Sequence, residues 1–179
     1  MAYELNMLQN QRAERKMLIT IAAWKEGDLQ KAAILGARTE DSSIEFNADI
    51  ETTTDILGIN YTDLNKTQPQ QSFDPAYVIG GDALMAYMNA AALENNINAY
   101  NGVFDIYVVA AYLKDAEKFF VVKHAGCSII PQSIGGDAFV SMPYDVYFSN
   151  DITKGSVTSI KREDLMMIYE NFTPDAAAE

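Results

Sequence analysis

Polar and apolar side chains alternate most clearly in residues 43–56. The polar set is Ser43, Glu45, Asn47, Asp49 and Glu51, and the apolar set between them is Ile44, Phe46, Ala48 and Ile50. A period of two is typical of a β-strand with one buried face and one wet face. The threonines at 52–54 continue the segment with good strand propensity. The pattern therefore predicts a strand that buries its apolar set and exposes its acidic set.

Apolar runs predict most of the other strands. Residues 17–24 form a continuous apolar run, which favours a buried strand, and a turn at 25–28 leads to a short strand at 31–37. Pro143 indicates an edge or a bulge in one later strand. The segment 164–172 fits either a strand or a short helix. The later strands are expected at residues 103–113, 119–130, 139–148 and 156–161.

One helix is expected in the middle of the chain. Asp82 can cap a helix that runs from Ala83 to about Asn96. Apolar residues at three- and four-residue steps, such as Leu84 and Met88, indicate packing against a core. Seven or eight strands with one helix define a mainly β fold. We expect a β-sandwich or a partly closed barrel with the helix packed against it.

The domain organisation follows from the segments outside this pattern. Residues 1–16 are polar and predict an N-terminal arm, residues 17–172 predict a single domain, and residues 173–179 predict a mobile tail. Residues 59–76 are so polar that they predict a long loop, and loops beyond about 12–15 residues are usually functional or disordered. We expect this loop to be mobile in a free subunit and to become ordered when Phe73 and Tyr77 dock on a neighbour.

The charge balance narrows the choice of partners. The chain has 13 basic and 25 acidic residues, a formal net charge of −12. Phosphates attract Lys and Arg, so tight wrapping around nucleic acid is disfavoured. The same acidity suits a surface past which nucleic acid must slide without sticking. A simpler alternative is that like charge keeps a soluble protein dispersed.

The sequence contains little that indicates catalysis or targeting. The chain contains one cysteine, Cys127, and one histidine, His124, which are too few for a four-ligand zinc site. On a strand these two residues point to opposite faces unless Gly126 forms a bulge. We expect a structural cysteine, a partly exposed histidine, no cofactor and no enzyme activity. A hydrolase would have to use His124 or paired carboxylates. No apolar run reaches the roughly 20 residues of a membrane span. No secretory signal is visible, so synthesis in the cytoplasm is expected.

The segment 38–54, an acidic lead-in followed by the alternating strand, resembles the opening strand of the major tail tube proteins of bacteriophages. The similarity continues in the same order over about residues 38–161. It includes a Pro-containing loop at 64–75, a helix start at 81–84, a strand at 103–113, a Gly-Gly-Asp-Ala step at 135–138 and a Lys-Gly-Ser-Val step at 154–157.

This resemblance implies a tail-tube-like β-sandwich with one helix. In that family, and in the related tubes of contractile injection and type VI secretion systems, subunits form hexameric rings that stack into a hollow tube. The implied partners are further copies of the chain, other tail proteins (tape measure, terminator, baseplate or tip) and genomic DNA, which passes without specific binding. The implied location is the virion, with no membrane contact.

The resemblance also implies two functional surfaces. Strands of tail tube subunits join around a central channel, so the polar set Ser43, Glu45, Asn47, Asp49 and Glu51 is expected to line the lumen. The predicted inter-ring contact is Asn65, Gln68, Gln70, Phe73 and Tyr77. An outer, solvated strand is the alternative for the acidic set. For the whole chain, the alternatives are a monomeric β-barrel with a cavity for a small ligand and, with less support, a hydrolase.

Overall fold

The structure is a computed structural model, and it describes residues 3–39 and 41–175. Within these residues the chain forms twelve β-strands and three short α-helices, which confirms a mainly β fold. The strands are β1 (Glu4–Leu5), β2 (Leu18–Glu26), β3 (Leu29–Ile34), β4 (Ile44–Glu45), β5 (Asp49–Thr54), β6 (Asn60–Lys66), β7 (Gln70–Phe73), β8 (Phe104–Asp115), β9 (Lys118–Pro131), β10 (Tyr144–Tyr147), β11 (Ile152–Val157) and β12 (Thr173–Pro174). The helices are α1 (Ala83–Leu93), α2 (Arg162–Leu165) and α3 (Ile168–Asn171).

Strand β9 is shared between two halves of one large sheet. Its first half pairs with β8 and β11, and its last four residues pair with β10. Gly126, with a left-handed φ of 69°, lies between the two halves, where the register against β8 shifts. Gly126 therefore forms the bulge that is needed for His124 and Cys127 to point to the same face. The large half-sheet has the order β3-β2-β8-β9-β11, and the small half-sheet has the order β9-β10-β7-β4.

The two half-sheets and α1 enclose the main core. Trp24 of the large half-sheet packs in the same cluster as Phe73 and Val146 of the small one and Met88 of α1. Helix α1 begins as predicted, because the Asp82 carboxylate accepts hydrogen bonds from the backbone N–H groups of residues 84 and 85, both at 3.0 Å. No helix within residues 3–39 and 41–175 is long and apolar enough to cross a bilayer.

A second core covers the opposite face of the large half-sheet. Ile21, Val109 and Val121 point to this side, where Leu165 of α2 and Ile168 of α3 cover them. Strand β2 is consequently buried on both faces, which explains why its sequence is a continuous apolar run rather than an alternation. The segment that fitted either a strand or a helix forms two helical turns, because its apolar side chains cover this sheet.

Several element boundaries differ from the expectations. The strand expected at 139–148 is reduced to Tyr144–Tyr147, since Pro143 lies just before it and cannot donate to the ladder. The strand expected at 156–161 begins earlier, at Ile152. The long loop expected at 59–76 is wrong, because it contains strands β6 and β7. These strands are too polar to be recognised, and one of the two inward side chains of β7 is Gln71.

Both ends of the described chain pack against the domain. Strand β1 pairs with β8, so residues 4 and 5 of the expected arm belong to the sheet. The Tyr3 ring contacts Phe120, with 4.7 Å between centroids. Strand β12 pairs with β11, and the Asp175 N–H donates to the Lys154 carbonyl at 2.9 Å. The beginning of the expected mobile tail is therefore paired, while residues 176–179 lie outside the described residues.

A polar network crosses the main core and joins its two layers. The Thr20 hydroxyl donates to Gln71 Oε1 at 2.9 Å, and Gln71 Nε2 donates to Ser42 Oγ at 3.0 Å. The Ser42 hydroxyl in turn donates to the Ser72 carbonyl at 2.7 Å. Buried amides are tolerated when they are hydrogen-bonded in this way. The network therefore specifies how β7 lies against β2.

Gln71→Leu should lower the free energy of unfolding by about 1–3 kcal/mol, because it leaves the buried Thr20 hydroxyl without its acceptor. Adding Thr20→Val to the same chain should recover part of that loss, since both polar partners are then removed. Urea denaturation of the two single variants and the double variant tests this. A double variant that loses the full sum of the single effects would contradict the pairing.

Candidate assembly surfaces

Strands β5 and β6 form a hairpin (residues 49–66) that is separate from the large sheet. They pair only with each other among the described strands, with Ile50 opposite Leu64. The Asp55 carboxylate closes the turn by accepting the backbone N–H groups of Leu57 and Ile59, at 2.8 and 2.9 Å. The hydrogen bond from Ile59, followed by that from Leu57, holds the Asp55 pKa below its ordinary value. The turn is thus well defined.

The hairpin exposes an unusual amount of apolar surface. Its large apolar side chains are all about half exposed or more, and they are Ile50, Ile56, Leu57, Ile59, Tyr61 and Leu64. Ile56 at the turn is fully exposed and Leu57 is 77% exposed. An isolated two-stranded hairpin is marginally stable in water, and contiguous exposed apolar surface usually marks an interaction site. The hairpin is therefore a candidate interaction surface.

The burial expected for the alternating apolar set is wrong. Phe46, Ala48 and Ile50 are exposed, and Ile44 is half-buried. Asn47 has a left-handed φ of 44°, which divides the expected strand into β4 on the domain and β5 on the hairpin. Alternation indicates which residues share a strand face, but it does not indicate whether a second layer covers that face.

The structure does not keep the expected lumen-lining residues on one strand. All five side chains are exposed, but only Glu45 lies in a strand of the large sheet, β4, where it is opposite Gln70. By the pleat, Glu45 shares the outer face of the small half-sheet with Ser72 and Asp145. Ser43 precedes β4, Asn47 lies at the break, and Asp49 and Glu51 belong to the hairpin. The single continuous acidic face that the sequence predicts is therefore interrupted.

The expected inter-ring residues are also divided by the structure. Asn65 in β6, Gln68 and Gln70 lie together where the hairpin joins the domain, and the Gln68 N–H donates to the Phe46 carbonyl at 3.0 Å. Phe73 and Tyr77 lie away from this junction, at and beyond the other end of β7.

Phe73 is 1% exposed and stacks on Tyr144 with 5.0 Å between centroids, so it belongs to the core and is not free to dock on a neighbour. Tyr77 lies beyond the other end of β7, in a bridge to Ser141. The exposed apolar turn, Ile56-Leu57-Gly58-Ile59, was missed by the sequence analysis. Its signal was present, because these apolar residues interrupt a segment that is otherwise polar.

His124 and Cys127 are both buried, which corrects the expectation of a partly exposed histidine. His124 Nδ1 donates to the Ser149 carbonyl at 2.9 Å, and its ring lies against Phe148. The Cys127 thiol accepts the Ser149 N–H at 3.3 Å, and burial raises its pKa. The bulge at Gly126 turns both side chains inward. Among the described residues, no three His, Cys, Asp or Glu side chains are grouped as metal ligands.

Cys127→Ser and His124→Ala should each leave assembly intact and lower the free energy of unfolding by about 1–2 kcal/mol through lost packing. Because the Cys127 thiol is 1% exposed, and burial also raises its pKa, a maleimide should react with it only when the protein unfolds. Urea denaturation and timed labelling measure the two effects. Stoichiometric zinc in the purified protein, or rapid labelling of the folded protein, would show that this pair has a chemical role.

No protein-family model matches the chain, and no curated protein matches it. Among solved structures, it is similar to a chain of the tube-terminating cap of the anti-feeding prophage, with 14% identity, 85% of this chain and 96% of that chain covered, and a TM-score of 0.45. It is also similar to a chain of the sheath–tube complex of PVC, an extracellular contractile injection system, in its extended state. The identity there is 12%, the coverage 83% and 94%, and the TM-score 0.43.

A third similar chain comes from the baseplate of the anti-feeding prophage, with 7% identity, coverage of 83% and 97%, and a TM-score of 0.43. All three alignments span most of both chains, at TM-scores below 0.5 and identities of 14% or less. The function proposed below therefore rests on the surfaces of this chain and on its sequence pattern.

Proposed function

We propose that this chain is a structural subunit of a phage tail tube, which self-assembles into stacked hexameric rings and forms a conduit for DNA at infection. The observation that carries the proposal is the exposure of the hairpin's apolar side chains, which no other described element of the chain covers. A monomer that exposes such a surface is incomplete, and further copies of the same chain would complete it. The ordered sequence resemblance to tail tube proteins supports the same conclusion.

The base of the hairpin is the proposed inter-ring contact. Asn65, Gln68 and Gln70 lie there together, next to exposed Phe46. Interfaces between subunits combine an apolar centre with a polar rim, and this region offers both kinds of group. Tyr77, at the other end of β7, would meet a different neighbour.

The acidic residues are proposed to face the channel. Glu45 and Asp145 lie on the outer face of the small half-sheet, and Asp49 and Glu51 continue the acidity onto the hairpin. With a net charge of −12 per subunit, a tube would carry a strong negative field. DNA phosphates would be repelled from such a wall, so DNA would pass without binding. Further partners in the phage tail would be the tape measure, terminator and baseplate or tip proteins.

The two alternative functions find less support in the subunit. A ligand-binding barrel needs a cavity between its layers, but the gap there, beside Leu35, Ala76 and Tyr144, is about 10 Å3. That is room for one water molecule at most. The larger spaces, of about 250–400 Å3, are open depressions at the surface of the described chain. A hydrolase would need His124 to meet a substrate, and this side chain is 8% exposed.

Assembly of the purified protein tests the proposal. Light scattering should detect particles of six 19.8-kDa chains or multiples of six, and negative-stain microscopy should show rings or tubes. Replacing Ile56 and Leu57 together with aspartate should abolish the tubes and leave a folded subunit, since both side chains are exposed. Leu8→Asp is the matched control, because Leu8 is 80% exposed but lies outside the hairpin. A wild-type protein that remains strictly monomeric at high concentration would overturn the proposal.

A further inference from the structure

The segment that leads into β8 carries the one Asn-Gly step of the sequence, Asn101-Gly102. Both residues are exposed, yet the segment is held to β9, because the Ile129 N–H donates to the Tyr100 carbonyl at 3.1 Å. Gly102 has a left-handed φ of 72°, and it has no Cβ that could shield its backbone nitrogen. The step therefore combines an ordered backbone with access to water.

The Ser128 hydroxyl connects the two residues of this step. The Gly102 N–H donates to Ser128 Oγ at 2.9 Å, and the Ser128 hydroxyl donates to Asn101 Oδ1, also at 2.9 Å. A serine hydroxyl has one hydrogen and two lone pairs, so it can make both bonds at once. One half-buried side chain thus contacts the backbone nitrogen of one residue and the side-chain carbonyl of its neighbour.

These two groups are the ones that react when an asparagine side chain closes on the backbone. The backbone nitrogen is the nucleophile and the side-chain carbonyl carbon is the electrophile, and both are held in one short segment. A donor on the carbonyl oxygen stabilises the negative charge that develops there during the attack. An acceptor on the N–H can take the proton that the nitrogen must lose. Ser128 supplies both functions.

We propose that Asn101 is a site of self-catalysed deamidation, which the Ser128 hydroxyl promotes. The Gly102 nitrogen forms a bond to Asn101 Cγ, and the bond from Cγ to Nδ2 breaks, so that ammonia leaves and a five-membered succinimide remains. The proton that the Gly102 nitrogen loses passes through the Ser128 hydroxyl to the departing ammonia. Water from the solvent then opens the ring. Opening at Cγ gives aspartate, and opening at the backbone carbonyl carbon gives isoaspartate.

The reaction changes both the charge and the backbone at one point of the fold. Either product carries a carboxylate in place of the amide, so the formal charge of the chain changes from −12 to −13. Isoaspartate also adds one methylene group to the main chain just before β8, whose first residue, Phe104, is fully buried. Conversion should therefore accumulate with the age of the folded protein and lower its melting temperature. The inference does not depend on the proposed function.

Timed incubation at mildly alkaline pH tests the inference, with ammonia release and mass spectrometry of the peptide that contains residue 101 as the two measurements. Asn101 should convert faster in the folded protein than in the same chain unfolded in guanidinium chloride. In the folded protein, Ser128→Ala should slow the conversion by about tenfold or more, since a positioned acid–base group typically contributes about 100-fold or more. Ser128→Thr keeps the hydroxyl and should convert at close to the wild-type rate.

Asn101→Gln is the matched control, because its longer side chain keeps the amide but closes a ring on the backbone far less readily. Thermal melting of each variant verifies that it is folded at the incubation temperature. The comparison of folded and unfolded wild-type protein needs no variant. An Asn101 that stays intact in the folded protein and converts only after unfolding would overturn the inference, since Ser128 would then protect the amide. Conversion of Ser128→Ala at the wild-type rate or faster would overturn it as well.

Discussion

Tubes assembled from a variant with Glu45→Lys, Asp49→Lys and Glu51→Lys should look normal and should slow or arrest DNA ejection. The three side chains are exposed, so the substitutions should not disturb the fold. Each replaces one negative charge with one positive charge, which changes the formal charge of the subunit from −12 to −6. If six subunits form a ring, 18 lysines then face the channel in place of 18 carboxylates. Phosphates bind lysine, and this attraction should hold the DNA in the tube.

Two controls separate the position of the charges from their number. Lysine at Glu117, Glu163 and Glu170 gives the same change in net charge at exposed sites away from β4 and the hairpin. Ejection from those particles should be near normal. Raising the salt concentration should restore part of the ejection rate in the lumen variant, because salt screens the attraction. Normal ejection from well-formed tubes of the lumen variant would place these residues on the outer wall.

Gly136→Ala should be the most destabilising single substitution among the glycines of the Gly-Gly-Asp-Ala step. A Cβ at this position would lie 1.9 Å from the Phe139 carbonyl oxygen, and the φ of 148° disfavours any side chain. Strain and overpacking of this kind each typically cost about 1–3 kcal/mol, so the combined loss should reach about 3 kcal/mol or more. The melting temperature and the urea midpoint both measure the loss.

Gly135→Ala is the matched comparison for that prediction. Gly135 has a similar φ of 155°, but a Cβ there meets nothing within 4 Å. Its substitution should therefore show the backbone strain alone, about 1–3 kcal/mol. Equal losses for the two variants would mean that the contact with Phe139 relaxes at no cost.

The features that depend on local sequence were predicted well. The apolar run of β2, the long strands β8 and β9 and the capped start of α1 all follow from side chains within a few residues of one another. Asp82 is an example, since its carboxylate binds N–H groups only two and three positions ahead. Features of this type need no knowledge of the distant chain.

The errors arose where a distant contact, or the lack of one, decides the outcome. Strand β7 was taken for a loop because Gln71 reads as polar, while Thr20 and Ser42 supply its buried partners from other parts of the chain. The alternation around Phe46 predicted a buried face, but no layer of this subunit covers it.

The sequence by itself determined that this protein is mainly β and acidic and that it contains a helix capped by Asp82. Its resemblance to tail tube proteins stays a prediction. Only the tertiary structure decided that the hairpin at 49–66 forms a sheet separate from that of the domain and that Phe73 and His124 are buried. The physical reason is that strand patterns specify local conformation and the sidedness of each strand. Whether a face becomes core or interface depends on which segment, of the same chain or of another copy, is available to cover it.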